Sequence, residues 1–236
     1  MKRCFACLLA LILYGVAMAQ SQTMAGFDIA FAGDFIQIKD PNGNITNPKT
    51  SSAFYGVAIR RYIDNHFYIE GGVYRKAHRE GIAFADYYSA TSTGIQSVMV
   101  PVRFGVSIPL LKKSVMISPE AGLTTGITNE DYNIRSEGQF QEPGNKAYYF
   151  TYTLQYPSRI FFLVQLGANA DIRLFRNTFL HLSSGYYGGL QKVIIEHVSY
   201  SVDNSPLLPA TIYNRSSFYT VGIGLRFAIG HVEPVK

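Results

Sequence analysis

Nine ionisable residues sit in otherwise apolar or small-residue surroundings: the acids Asp28, Asp34, Glu70, Glu120 and Asp171, and the bases Arg60, Arg103, Arg173 and Arg226. Charges in such settings need partners of opposite sign, so the chemistry they suggest is ion pairing in a confined space. Its first use is a structural network that fills and stiffens an interior. Its second is a polar path for ions or small solutes.

Catalytic spacing is harder to find. His181 with Ser183 or Ser184 could supply a base and a nucleophile, and Glu196 with His197 an acid–base pair. Neither follows a recognised spacing, and the chain has no Gly-x-Ser-x-Gly elbow and no His-Glu-x-x-His. No catalytic, cofactor-binding or metal-ligating residues are therefore expected, and no cofactor. A different kind of candidate is the aromatic run Tyr148, Tyr149, Phe150, Tyr152 and Tyr156, which follows the acidic residues Glu130, Asp131, Glu137 and Glu142. Exposed aromatics can anchor a partner, and the same residues could instead pack together in a hairpin.

The elements that position these residues are strands. In residues 217–229, Tyr219, Val221, Ile223, Leu225, Phe227 and Ile229 alternate with Thr220, Gly222, Gly224, Arg226 and Ala228. That is a two-residue period with one wholly apolar face, long enough to cross a bilayer as a tilted strand, for which about 9–11 residues suffice. The same alternation recurs at about 25–38, 53–62, 66–76, 95–108, 115–127, 160–173 and from 180 onward, with strand character as far as Val202. Pro101 and Pro119 each remove a ladder donor, so each is expected at a bulge or at a site where the missing bond is tolerated.

Eight strands result, and their connections alternate long and short, the long ones at about 38–52, 78–93, 128–158 and 203–211. In an up-and-down antiparallel barrel this rhythm puts long loops at one rim and tight turns at the other, the asymmetry of transmembrane barrels. A secreted lipocalin-like ligand-binding barrel also has eight strands. Its outward faces, however, should be rich in lysine and glutamate. Here Lys39, Lys49, Lys112, Lys113 and Lys146 fall in connections, and the non-apolar faces are mostly Gly, Ala, Ser and Thr, which suit a narrow interior.

At the N-terminus, Lys2 and Arg3 precede an apolar run from Leu8 to Val16 and the small-x-small pattern of Ala17-Met18-Ala19. This reads as a cleavable signal peptide over 1–19, followed by a single barrel domain over 20–236. Both cysteines, Cys4 and Cys7, lie in the cleaved part, so no disulfide is expected in the mature protein. Removing Lys2 and Arg3 takes the formal net charge from +5 to +3, and the scattered basic residues give no case for nucleic acid.

With residues 100–105 (Val-Pro-Val-Arg-Phe-Gly) and 221–227 (Val-Gly-Ile-Gly-Leu-Arg-Phe), the chain resembles the small outer-membrane β-barrel proteins of Gram-negative bacteria. It is most similar to the outer-membrane β-barrel domain common in Bacteroidetes. The resemblance implies an all-β, eight-stranded antiparallel up-and-down transmembrane barrel in the outer membrane, embedded in its lipid. It also implies that Thr220, Gly222, Leu225 and Phe227 match the signal by which such chains are handed to the barrel-assembly machinery. The expected role is structural or interactive and non-catalytic, with Asp28, Asp34, Arg60, Glu70, Arg103, Glu120, Asp171 and Arg226 filling the lumen, and with an extracellular or envelope protein met through the long loops. A narrow channel, an outer-leaflet enzyme and the secreted ligand-binding barrel are the alternatives.

Overall fold

The computed structural model describes residues 22–47, 51–64, 66–84, 87–111, 114–128, 134–140 and 146–229. The signal segment 1–19 and the tail 230–236 lie outside them. Thirteen strand segments follow in order: β1 (Thr23–Lys39), β2 (Ile45–Thr46), β3 (Ser51–Tyr62), β4 (Phe67–Phe84), β5 (Tyr87–Val106), β6 (Ile108–Leu110), β7 (Val115–Thr128), β8 (Ile134–Phe140), β9 (Tyr148–Gln155), β10 (Ile160–Arg173), β11 (Thr178–Gly189), β12 (Ile194–Val202) and β13 (Leu208–Ile229).

Eight of them close into an antiparallel ring, β1-β3-β4-β5-β7-β10-β11-β13, sealed by pairing of β1 with β13. Closure gives every ring strand a neighbour on both sides and leaves no edge in the ring. The two-residue period sorts the side chains. Phe27, Ile29, Val57, Val102, Leu123, Leu166, Val221 and Ile223 stand exposed on the outer face, while Asp28, Arg60, Glu70, Arg103, Asp171 and Arg226 are buried within. An outer surface this apolar suits lipid rather than water. Aromatic rings mark its upper edge, where Phe35 lies 5.8 Å from Tyr186 and 5.9 Å from Tyr219.

Both prolines fall in gaps of the ladder. The β4–β5 pairing passes from Gly71↔Val102 to Tyr74↔Met99 without the intervening pairs, so Pro101 has no donor to supply there. Between β5–β7 and β6–β7 the register likewise skips Pro119.

Short connections occupy one rim, between Tyr62 and Phe67 and between Arg173 and Thr178. The other rim carries more strand than the alternation suggests. The segment expected as a loop over 78–93 is largely strand: β4 continues to Phe84 and β5 begins at Tyr87. Within 128–158 lie β8 and β9, and 38–52 contains the short β2. The single strand expected from 180 to 202 is two, β11 and β12, broken at Leu190–Val193, and the connection before β13 is only 203–207.

These upper segments form a sheet that continues above the ring. The 22-residue β13 pairs through its lower half with β11 and through its upper half with β12, which pairs with β9 and β9 with β8. The exchange of partner occurs at a bulge. Ser216 has a left-handed backbone (φ 57), its N–H donates to Asn214 Oδ1 at 2.6 Å, and the facing β1 shifts register between Asp34 and Ile36. Residues 215–217 of β13 thus stand against Phe35 alone, and these two extra residues sharpen the local twist.

Candidate functional site

Chemistry-bearing side chains gather in the lumen, at the height of the outer apolar belt. Arg60 is placed by β3, Glu70 by the facing position on β4, and Arg103 by the position facing Glu70 on β5. The three interlock: Arg60 Nε donates to Glu70 Oε2 at 2.9 Å, and Arg103 Nη1 to Glu70 Oε1 at 2.7 Å. Arg60 Nη1 also donates to Asp171 Oδ2 on β10, at 2.5 Å. Arg226 of β13 donates through Nη1 and Nη2 to both oxygens of Asp28 on β1, at 2.6 and 2.9 Å. Glu120 of β7 accepts from Asn169 at 2.7 Å and from the Tyr68 hydroxyl at 3.2 Å. Charges buried this far from water persist because each has a partner of opposite sign or a hydrogen-bonding neighbour, and both oxygens of Asp28, Glu70, Glu120 and Asp171 accept hydrogen bonds, while Arg60 Nη2 and Arg226 Nε are left without one.

Aromatic rings brace the network. The Arg60 guanidinium lies 4.1 Å from the centroid of the Tyr68 ring and that of Arg103 5.1 Å from Tyr74. Above it, Phe54 stacks on Tyr74 at 4.7 Å and Tyr187 on Phe218 at 4.3 Å. Several inward rings fit only because a glycine faces them. A Cβ on Gly105 would come within 2.2 Å of the Tyr68 ring, and one on Gly126 within 2.2 Å of Phe161. Over this layer, Lys76 donates to Asp34 at 2.6 Å.

The lumen holds a void of about 20 Å³ bordered by Asp28, Arg103, Glu120, Asn169 and His181. That is room for about one water molecule.

Each residue singled out in the sequence can now be placed. Asp28, Asp34, Arg60, Glu70, Arg103, Glu120, Asp171 and Arg226 are all buried inside. Arg173 is only partly buried at the lower rim, beside Phe179 at 5.3 Å. Thr220 and Gly222 lie on the inner side of β13, with Leu225 and Phe227 on the outer. His181 is bound to Asp171 at 2.6 Å and, with Ser183 and Ser184, borders the 20 Å³ void. Glu196 and His197 are neighbours on a strand and therefore point opposite ways, Glu196 buried and His197 exposed, so they form no dyad.

Of the aromatic run, Tyr148, Phe150 and Tyr152 point into the core of the upper sheet, Tyr156 packs partly buried against it, and Tyr149 faces outward. Phe84 stacks on Tyr148 at 4.2 Å and meets Tyr200 at 5.6 Å. Tyr68, Tyr74, Gln165, Asn169, His181 and Tyr187 complete the network although charge alone does not mark them. Their shared parity with Glu70, Asp171 and Gly185 is the signal that could have found them.

Glu196 differs from the lumen acids. It lies in the upper sheet, opposite Leu154 on β9 and Ile212 on β13, and its Oε2 has no hydrogen-bond partner. Burial without compensation pushes its carboxyl up to about 7. Among the described residues no group of acids and histidines could hold a metal ion.

No family model matches the sequence, and no curated protein matches it. Solved structures do. The chain is similar to the outer membrane protein OprG from Pseudomonas aeruginosa, with 9% identity over 89% of this chain and 97% of that one, at a TM-score of 0.54. Looser likenesses include Ail, the attachment invasion locus protein of Yersinia pestis (12% identity, 89% and 100% covered, TM-score 0.39). Another is the outer membrane protease OmpT from Escherichia coli (9%, 90% and 98%, TM-score 0.38). At these identities the likeness is one of fold: the ring shared with OprG is the architecture of an outer-membrane barrel.

Proposed function

We propose that this protein is an integral outer-membrane barrel with a structural or interaction role, without catalysis, whose lumen is closed by its polar network. The observation that carries the reading is the filled interior. Interlocked ion pairs and stacked rings crowd the lumen around a void of about 20 Å³, room for about one water molecule, as suits the narrow bore of eight strands. The apolar belt and the fold shared with OprG support the outer membrane as its location. The finer likeness to the Bacteroidetes-type domain rests on the texture of residues 100–105 and 221–227. In this reading Thr220, Gly222, Leu225 and Phe227 address the chain to the assembly machinery, and the upper sheet is the part offered to a partner outside the cell.

The test is conductance of the full chain in planar bilayers, alongside gel migration of unboiled and boiled samples. The expected result is a heat-modifiable band with no conductance steps. Reproducible unitary steps would replace this reading with that of a narrow channel, and a protein that stays soluble would end it.

A further inference from the structure

Immediately above the aromatic edge formed by Phe35, Tyr186 and Tyr219, the outer face changes from apolar to basic. At this height β13 is flanked by β1 on one side and β12 on the other, and Tyr213 is the outward residue of β13 that pairs with Gln37 and with Ile195. Lysines converge on its ring from both flanks. Lys192, just before β12, sets its ammonium 3.8 Å from the ring centroid, and Lys39, at the end of β1, sets its own at 5.5 Å. Arg215 stands exposed one outward position below.

Two ammonium groups held at one ring repel each other, and one cation–ring contact does not require the second. Neither lysine has an ion-pair partner among the described residues. No carboxylate stands at the outward positions of these strands from Phe35 to Lys39, from Pro209 to Arg215 or from Ile195 to Ser199. The arrangement is not general to the upper sheet, since on β8 the exposed outward residues Arg135 and Glu137 carry opposite signs. A compact anion seated between the lysines would remove the repulsion and receive hydrogen bonds from both ammonium groups.

We propose that Lys39, Lys192, Tyr213 and Arg215 form a binding site for the phosphorylated headgroup of an outer-leaflet lipid. The site rests on the outer-membrane reading above, and its height favours that source over a soluble anion. It begins where the apolar belt ends, which is the level of a headgroup whose acyl chains lie along Phe35 and Tyr219.

The experiment uses the full chain refolded in micelles, with native mass spectrometry following titration by diphosphoryl lipid A, by the same glycolipid without its phosphates, and by inorganic phosphate. The wild type is expected to bind the phosphorylated glycolipid about ten-fold more tightly than the phosphate-free form, from about one tenfold step shared by two lysines near an anionic surface. Lys39→Gln/Lys192→Gln, with side chains that stay polar at exposed positions, should lose that preference while keeping wild-type migration unboiled. Arg176→Ala, in the turn at the opposite rim, should keep it. Equal binding of the two glycolipids by the wild type, or an undiminished preference in the double variant, overturns the proposal. Displacement of the glycolipid by an equal concentration of inorganic phosphate overturns its assignment to lipid. Insertion into liposomes separates the two readings: a protein that inserts and ignores the phosphates defeats this site alone, and one that fails to insert defeats both.

Discussion

Arg226 and Asp28 join the last ring strand to the first through two parallel hydrogen bonds, from Nη1 to Oδ1 at 2.6 Å and from Nη2 to Oδ2 at 2.9 Å. The pair sits on the seam where the barrel closes, and the two residues are 198 positions apart in the chain. Space for it comes from Gly224, opposite Asp28 in the register, where a Cβ would come within 2.2 Å of Asp28 Oδ1. Arg226 also lies 3.7 Å from Glu70, so the seam is tied into the rest of the network.

Replacing Arg226 with methionine leaves Asp28 buried with only the Tyr74 hydroxyl, at 2.6 Å, as partner. Unfolding in micelles by urea should show a loss of about 3–5 kcal/mol, the cost of an uncompensated buried charge. Asp28→Leu in the same chain removes that charge and should restore at least half of the loss. A single variant within about 0.5 kcal/mol of wild type would mean that the seam does not depend on this pair.

Glycine against ring is a separate source of stability. Gly105→Ala forces the Tyr68 ring to move, because the added carbon would lie 2.2 Å from it, and movement breaks the bond from the Tyr68 hydroxyl to Glu120. The expected cost is about 1–3 kcal/mol. At Gly71 the nearest atom to an added Cβ is the Pro101 carbonyl oxygen at 3.9 Å, so Gly71→Ala should stay within about 0.5 kcal/mol. Matching effects at the two sites would point to backbone entropy rather than packing as the cause.

Much of the ring is legible in the sequence because its two faces meet different surroundings, lipid outside and a polar lumen within, and strict alternation records the difference. Above the belt that contrast fades. In 78–93 the run of Ser, Thr, Ala and charged residues resembles a polar connection, although Ile82 and Phe84 are buried in the upper sheet. The break at Leu190–Val193 is concealed because Val193 and Ile194 prolong the apolar texture of β11 into β12. In the lumen, parity marks the positions of acids and bases but not who bonds to whom. Arg60 finds Asp171 across 111 positions, and neutral Gln165 bonds to Arg103, Thr124 and Glu120 while Asn169 donates to Glu120.

Glu196 gives the upper sheet a pH dependence of definite sign. Its carboxyl is raised from an ordinary 4.5 to about 7 by burial. An acid raised in the folded state stabilises it fully below about pH 4.5, and this contribution is lost as pH climbs to about 7. Asp40 acts in the other direction and outside that window. Burial would raise it, but hydrogen bonds from the Ile45 N–H and the Tyr200 hydroxyl outweigh that and lower it from 3.8, so its contribution fades only in stronger acid. Amide exchange along β12, corrected for its intrinsic pH dependence, should therefore be slower at about pH 5.5 than at about pH 8. In Glu196→Gln the difference should disappear, and a difference that persists would assign it to another group.

Ile223 tests the outer face directly. It stands at mid-height of the belt, paired with Ile29 on one side and Leu182 on the other, and all three are exposed and apolar. In a soluble protein an arginine there would gain hydration and change stability little. Facing the middle of a bilayer it costs about 2–4 kcal/mol, less as the position nears the interface. Ile223→Arg should thus lower the free energy of folding into liposomes by that amount, while the same substitution at Ser199, exposed in part on the upper sheet, should alter it by under about 1 kcal/mol. Because neither position touches the lumen network, the contrast between them measures the surroundings of the outer face alone. Equal effects at the two heights would remove the bilayer from the description of this barrel.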